Sequence, residues 1–320
     1  MSLALIAVLF VACARDASRW VGQPFAGLLF LDSGIVVSIG EAAWRSPELQ
    51  RAEWARIVEV DGRPTPTGAA VHAAVAGASV GRELTYTLRR GSEVFRLGIR
   101  VRHFTWDDFN AVFSPMLGIG ACIVLLAWLW LARCPERPEL RALFALCMFL
   151  GIVLITGPDQ YGPYRFTPLF YLALAAVPPA MGQLALAYPW TPGRWARRLT
   201  AAAYALFATL GVVLVASRFH PAIFLPLLYL VYCALANALL LYIASLLSAL
   251  LSARRSAAEL LLALGGALGS STIGIVILVA YPLLGEPVSA AWLIVPIALM
   301  PALSGLAFRG PRRLVLGGAR

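Results

Sequence analysis

The sequence predicts a polytopic α-helical membrane protein of about eight spans that carries a small extracytoplasmic α+β domain. Three observations lead there. The 320 residues are 60% hydrophobic and 13% charged, with mean hydropathy +0.80, whereas soluble domains are about 45–50% apolar and about 25% charged. Uncharged apolar runs recur through the C-terminal two-thirds, each near the roughly 20 residues that a helix needs to cross a hydrocarbon core about 30 Å thick. Residues 20–105 break this pattern with short strand-like stretches and a dense mixture of arginines and acidic residues.

The first element, residues 1–19, contains the apolar run Leu3–Ala14 with no basic residue before it. It reads as a cleaved signal peptide, a signal anchor, or a helix that starts upstream. An uncleaved first span is the preferred expectation, because the span count then puts both ends in the cytoplasm. Phe10-Val11-Ala12-Cys13 loosely resembles a lipoprotein processing site, with Phe10 where a smaller aliphatic residue is usual.

In residues 20–105, Phe25–Leu31, Gly34–Ile39, Arg56–Val60, Leu84–Leu88 and Val94–Val101 read as strands, rich in β-branched residues and separated by turn signals. Asp61-Gly62-Arg63-Pro64 and Arg90-Gly91-Ser92 are turns. Thr67–Ala76 reads as a helix.

Residues 106–308 form the helical bundle, with spans expected at 111–132, 142–157, 167–188, 200–217, 222–250, 260–284 and 288–307. The short connections orient them. Arg133, Arg137, Arg141, Arg194, Arg197, Arg198, Arg254, Arg255, Arg309, Arg312, Arg313 and Arg320 fall on one side and only Arg165 and Arg218 on the other. The rule therefore places 20–105 outside and the basic tail, 309–320, inside. Pro178-Pro179 is expected to break or kink its helix, the glycines from Gly265 to Gly274 to permit close helix packing, and Gln183 and Asn237 to hydrogen-bond between helices.

The inventory of reactive groups excludes several functions. All basic residues are arginine, 26 in a net charge of +10, so there is no Walker lysine, no Schiff-base lysine and no Ser-Lys dyad. The five cysteines show no metal or disulfide spacing. There are three histidines, His72, His103 and His220, and no HExxH or GxSxG motif. No enzymatic activity, cofactor, metal or nucleic-acid partner is expected. The near absence of ionisable groups in the spans counts against ion-coupled transport.

The order Gly34–Ile39, then Ile57-Val58-Glu59-Val60-Asp61-Gly62-Arg63-Pro64, then a helix, then Gly81–Gly91 resembles a bacterial PDZ domain. In that family a strand and a helix flank a groove that accepts an extended peptide as an added strand. The resemblance implies a ligand groove formed by Ile35, Val36, Val37, Ser38 and Ile39, faced by His72 and Val75, for an extracytoplasmic peptide or protein C-terminus. It departs from the family at Trp54-Ala55, where a Gly-Asp pair is usual.

The whole layout, one helix, an external PDZ-like domain and seven helices, resembles the sensory region of polytopic bacterial sensor histidine kinases of the competence pheromone type. Leu184–Pro189 and Pro301–Phe308 are similar to helix ends in that family. The 12 residues after the last span leave no room for the kinase. The chain is then a detached sensory region, a truncated reading frame, or a protein that signals through a separate partner. The resemblance implies a multi-pass protein of the bacterial cytoplasmic membrane that is embedded in the lipid bilayer, works with a cytoplasmic kinase or other signalling partner, and can form a homodimer. A membrane-anchored adaptor for envelope proteins is the alternative, and a transporter or channel the third reading.

Overall fold

The computed structural model describes residues 3–38, 49, 51–188, 193–251, 257–275 and 295–308. Helix α1 (Leu3–Ser18) leads into an α+β domain made of β1 (Pro24–Phe25), β2 (Leu29–Phe30), β3 (Val36–Ser38), β4 (Arg56–Val60), β5 (Arg63–Pro64), α2 (Gly68–Ala76), β6 (Glu83–Arg90), β7 (Glu93–Arg100) and β8 (Arg102–His103). The main sheet is antiparallel in the order β5-β4-β6-β7. Its longest pairing, Glu83↔Arg100 through Arg90↔Glu93, turns at Gly91, whose φ of 61° suits glycine. Thr67 caps α2 by accepting the Ala70 N–H at 3.3 Å. Val71 and Val75 then face the sheet and close a core with Ile57, Leu84, Tyr86 and Leu88. Strand β1 pairs with β8, so the chain enters and leaves the domain side by side.

The remaining chain is helical: α3 (Trp106–Arg133), α4 (Pro138–Thr156), α5 (Thr167–Ala187), α6 (Arg194–Ser217), α7 (Pro221–Leu251), α8 (Ala257–Ile275) and α9 (Leu299–Ala307). A 3₁₀ turn, Pro158–Tyr161, follows α4. Five segments among the described residues are long and apolar enough to span a membrane: α3, α4 with its turn, α5, α6 and α7. Helix α1 has 16 residues, and the apolar parts of α8 and α9 are shorter than a span. Residues 276–294, which hold about a third of each of the last two expected spans, lie outside the described residues.

The apolar windows of α4 and α5 are 67% and 61% buried, against 11% and 17% for α6 and α7. The first pair is therefore the centre of the bundle and the second its lipid-facing flank. Leu206, Val212, Leu240 and Leu241 stand exposed there, an apolar surface suited to hydrocarbon rather than water.

Small residues set the closest approaches. A Cβ on Gly120 would lie 2.9 Å from Ile155 Cγ1, which brings α3 against α4, and one on Gly266 would lie 3.3 Å from the Leu299 carbonyl of α9. Helix α5 runs unbroken through Pro178 and Pro179, both buried. Of the break or kink expected there, the break is absent: only the N–H groups of two consecutive residues are lost, and bonds on either side continue the helix. Gln183 does bond between helices, accepting the Tyr204 hydroxyl at 2.8 Å. Asn237 donates instead to the Cys233 carbonyl one turn earlier in its own helix, at a position that is exposed among the described residues.

Candidate functional site

The polar chemistry concentrates where the α+β domain sits on the bundle. The junction itself is stiff. Thr105 and Asp108 form a reciprocal capping box at the start of α3, and Arg102 grips both Asp108 oxygens at 2.9 and 3.0 Å. Strand β8 thus passes into a 28-residue helix with no flexible linker.

The α4–α5 connection forms a second joint. Asp159, 2% exposed, accepts the backbone N–H groups of Arg165 and Phe166 at 3.1 and 2.7 Å. This folds residues 161–165 into a knob against α2. The His72 Nε2–H donates to the Tyr161 carbonyl at 2.7 Å, which sets the tautomer, since a carbonyl can only accept. Trp20, Phe30 and Tyr164 surround the imidazole at ring distances of 5.1, 4.6 and 5.9 Å. Burial lowers the His72 pKa below its ordinary value, and the carbonyl bond opposes that only in part. The Tyr164 hydroxyl donates to the Phe30 carbonyl at 3.3 Å. Gly162 permits the contact: its φ is 139°, and a Cβ there would lie 3.0 Å from His72 Nε2.

Two ion pairs complete the seam. Asp16, near the end of α1, lies 3.2 Å from Arg165 and 3.0 Å from Arg19. Asp32 lies 2.7 Å from Arg218 Nε, just beyond α6. Burial raises the Asp32 carboxyl above the usual range, against the pull of Arg218. The two arginines that stand against the charge bias of the connections are therefore both engaged by carboxylates from the domain side.

The expected groove residues are placed as follows. Val36 and Val75 lie in the domain core. Ile35, 1% exposed, packs with Tyr171, Phe224 and Val231 of the bundle. Val37 is half-buried on the same cluster. Only the backbone of Ser38 is described, and Ile39 lies outside the described residues. His72 turns to the α4–α5 knob rather than to β3. Over residues 34–36, at the start of β3, both edges of the chain are already paired. Strand β2 takes one, and residues 54–57 take the other through Val36 N–H to Ala55 O, Trp54 N–H to Val36 O and Ile57 N–H to Gly34 O, at 2.7–2.9 Å. The segment that departs from the resembled pattern, Trp54-Ala55, is the one that fills this edge.

Two cavities open along the seam instead. One of about 390 Å³ lies among Asp16, Trp20, His72 and Arg165 and mixes charge with aromatic surface. The other, about 310 Å³, is apolar and lies between Leu31, Val37 and Trp54 of the domain and Phe170, Leu228 and Tyr232 of the bundle. Gln160 lines it, 3% exposed, and its only side-chain partner among the described residues is Thr167 Oγ1 at 3.4 Å. Among the described residues no group of three His, Cys, Asp or Glu side chains could hold a metal ion. Comparison of the chain with protein-family models, curated proteins and solved structures gives no match.

Proposed function

We propose that the protein is a non-enzymatic membrane signal sensor. In this reading the α+β domain is a PDZ-like extracytoplasmic module that meets a peptide or protein ligand. The bundle, of eight spans with both termini cytoplasmic, passes the event to a cytoplasmic kinase or other signalling partner at the inner membrane. A sensor needs an element with two states that ligand binding biases differently.

One observation carries the reading: among the described residues every joint between the domain and the bundle is short, buried or hydrogen-bonded, and none is a free linker. The junction Arg102–Asp108, the His72–Tyr161 bond and the Asp32–Arg218 pair reach three different parts of the bundle. A displacement of the domain therefore moves helices. With the β3 edge filled over 34–36, the seam and its two cavities are the better place for ligand to act than the groove first expected.

The test is a fusion of a histidine-kinase signalling module after Phe308. Output should change when Arg218→Ala or Gly162→Val loosens the seam while membrane insertion is unaltered. Output that ignores both variants overturns the sensing reading and leaves the envelope adaptor ahead.

A further inference from the structure

We propose that the pocket at the opposite, arginine-rich end of the bundle binds an anionic phospholipid, its phosphate between Arg141 and Arg197 and an acyl chain in the apolar cleft beside Leu186 and Ala201. The pocket, about 390 Å³, lies between the first turn of α4, the last turns of α5 and the start of α6. Its floor is the Gln183–Tyr204 hydrogen bond at 2.8 Å, which ties α5 to α6 beneath the rim. The rim holds two guanidiniums from two helices. Arg141 is oriented by its Nε–H, which donates to the Pro135 carbonyl at 2.7 Å, and its remaining side-chain N–H groups make no hydrogen bond among the described residues.

Neither Arg141 nor Arg197 makes an ion pair among the described residues, and no carboxylate lines the pocket. Arg194 and Arg198 lie within one turn of Arg197 on the same helix, at exposed positions. The two arginines of the domain end, by contrast, are both paired. Forked guanidinium donors match phosphate geometry, and basic pockets between spanning helices are suited to acidic lipid headgroups. The apolar walls continue onto the exposed face of α6, so a headgroup on the rim leaves its chains in the bilayer.

The test uses the full chain purified in a neutral detergent, with retained lipid counted by native mass spectrometry. Phosphatidylglycerol should bind at least about tenfold more tightly than phosphatidylethanolamine, and Arg141→Gln with Arg197→Gln should weaken it by about 100-fold. Ala201→Trp should also reduce binding, by filling the cleft with no change in charge. Arg96→Gln with Arg100→Gln, an equal loss of charge at two exposed positions of the α+β domain, should leave binding intact and separates a site from net charge. Equal retention of the two lipids, or wild-type binding by the double glutamine variant, overturns the proposal. Displacement of the lipid by inorganic phosphate at equal concentration also overturns it, in favour of a free-phosphate site.

Discussion

Arg218→Ala should open the seam from one end. Asp32 is 8% exposed, and its Oδ2 lies 2.7 Å from Arg218 Nε, while its Oδ1 has no hydrogen-bond partner among the described residues. Removing the guanidinium leaves a largely buried carboxylate with its main partner gone. A hydrogen bond to a charged group contributes about 1.5–3 kcal/mol, and breaking a fully buried pair costs about 3–5 kcal/mol. Since the Arg218 side chain is 28% exposed, water screens part of the pair and about 2 kcal/mol is expected. Asp32→Asn, which leaves an arginine that can still reach water, should cost about 1 kcal/mol. The double variant should cost about 1 rather than 3 kcal/mol, because Asp32→Asn also removes the buried charge that Arg218→Ala leaves without its partner. Hydrogen exchange in lipid nanodiscs can read this. Amides of residues 29–36 should exchange about thirtyfold faster in Arg218→Ala, since about 1.4 kcal/mol is a factor of ten. A change under threefold, or strict additivity of the two variants, would refute the argument that this pair holds the domain down.

Acid should loosen the same seam through His72. Its docked pKa is lowered by burial, so the undocked imidazole takes up a proton that the docked one refuses. The contribution is present above about pH 6.5 and lost as pH falls from there toward the docked value, and a pH titration of domain exchange should be flatter in His72→Gln. Gly68→Ala should cost about 1–3 kcal/mol by overpacking, because the new methyl would meet the Leu31 carbonyl at 2.6 Å as well as the Tyr164 hydroxyl; thermal unfolding in detergent would show it. Gly151→Leu should separate α3 from α4, where Val124 already closes on the glycine, and lower thermal stability more than Gly182→Leu, which meets open space. Reporters inserted near Gly91 and after Arg320 should fall on opposite sides of the membrane, and the same side for both would end the topology.

The helices were legible because apolar run length and missing charge are local properties, and the cap Thr67 and the turn at Gly91 likewise act within a few residues. What joins the two parts was not legible. Asp32 and Arg218 are 186 positions apart and Asp16 and Arg165 are 149 apart, so no periodicity links them. Yet the sequence held a signal in the two arginines that broke the charge bias, both of which are paired with carboxylates. His72 was expected in a groove because its helix follows the turn in the resembled order. The side chain instead follows the knob at Tyr161, a contact that depends on Asp159 folding a loop far along the chain. Strand β3 was expected to have an open edge because pairing depends on register with residues 54–57, and periodicity does not reveal register.

The central claim, that domain and bundle move as one body, is tested most directly by pulsed electron-spin distance measurement between labels at Arg96 on β7 and His220 beside Arg218, with the native cysteines replaced. The account predicts a single distribution as narrow as that between Arg63 and Arg96 inside the domain, broadening when Arg218→Ala is introduced. A wild-type distribution that is broad or has several maxima would contradict it.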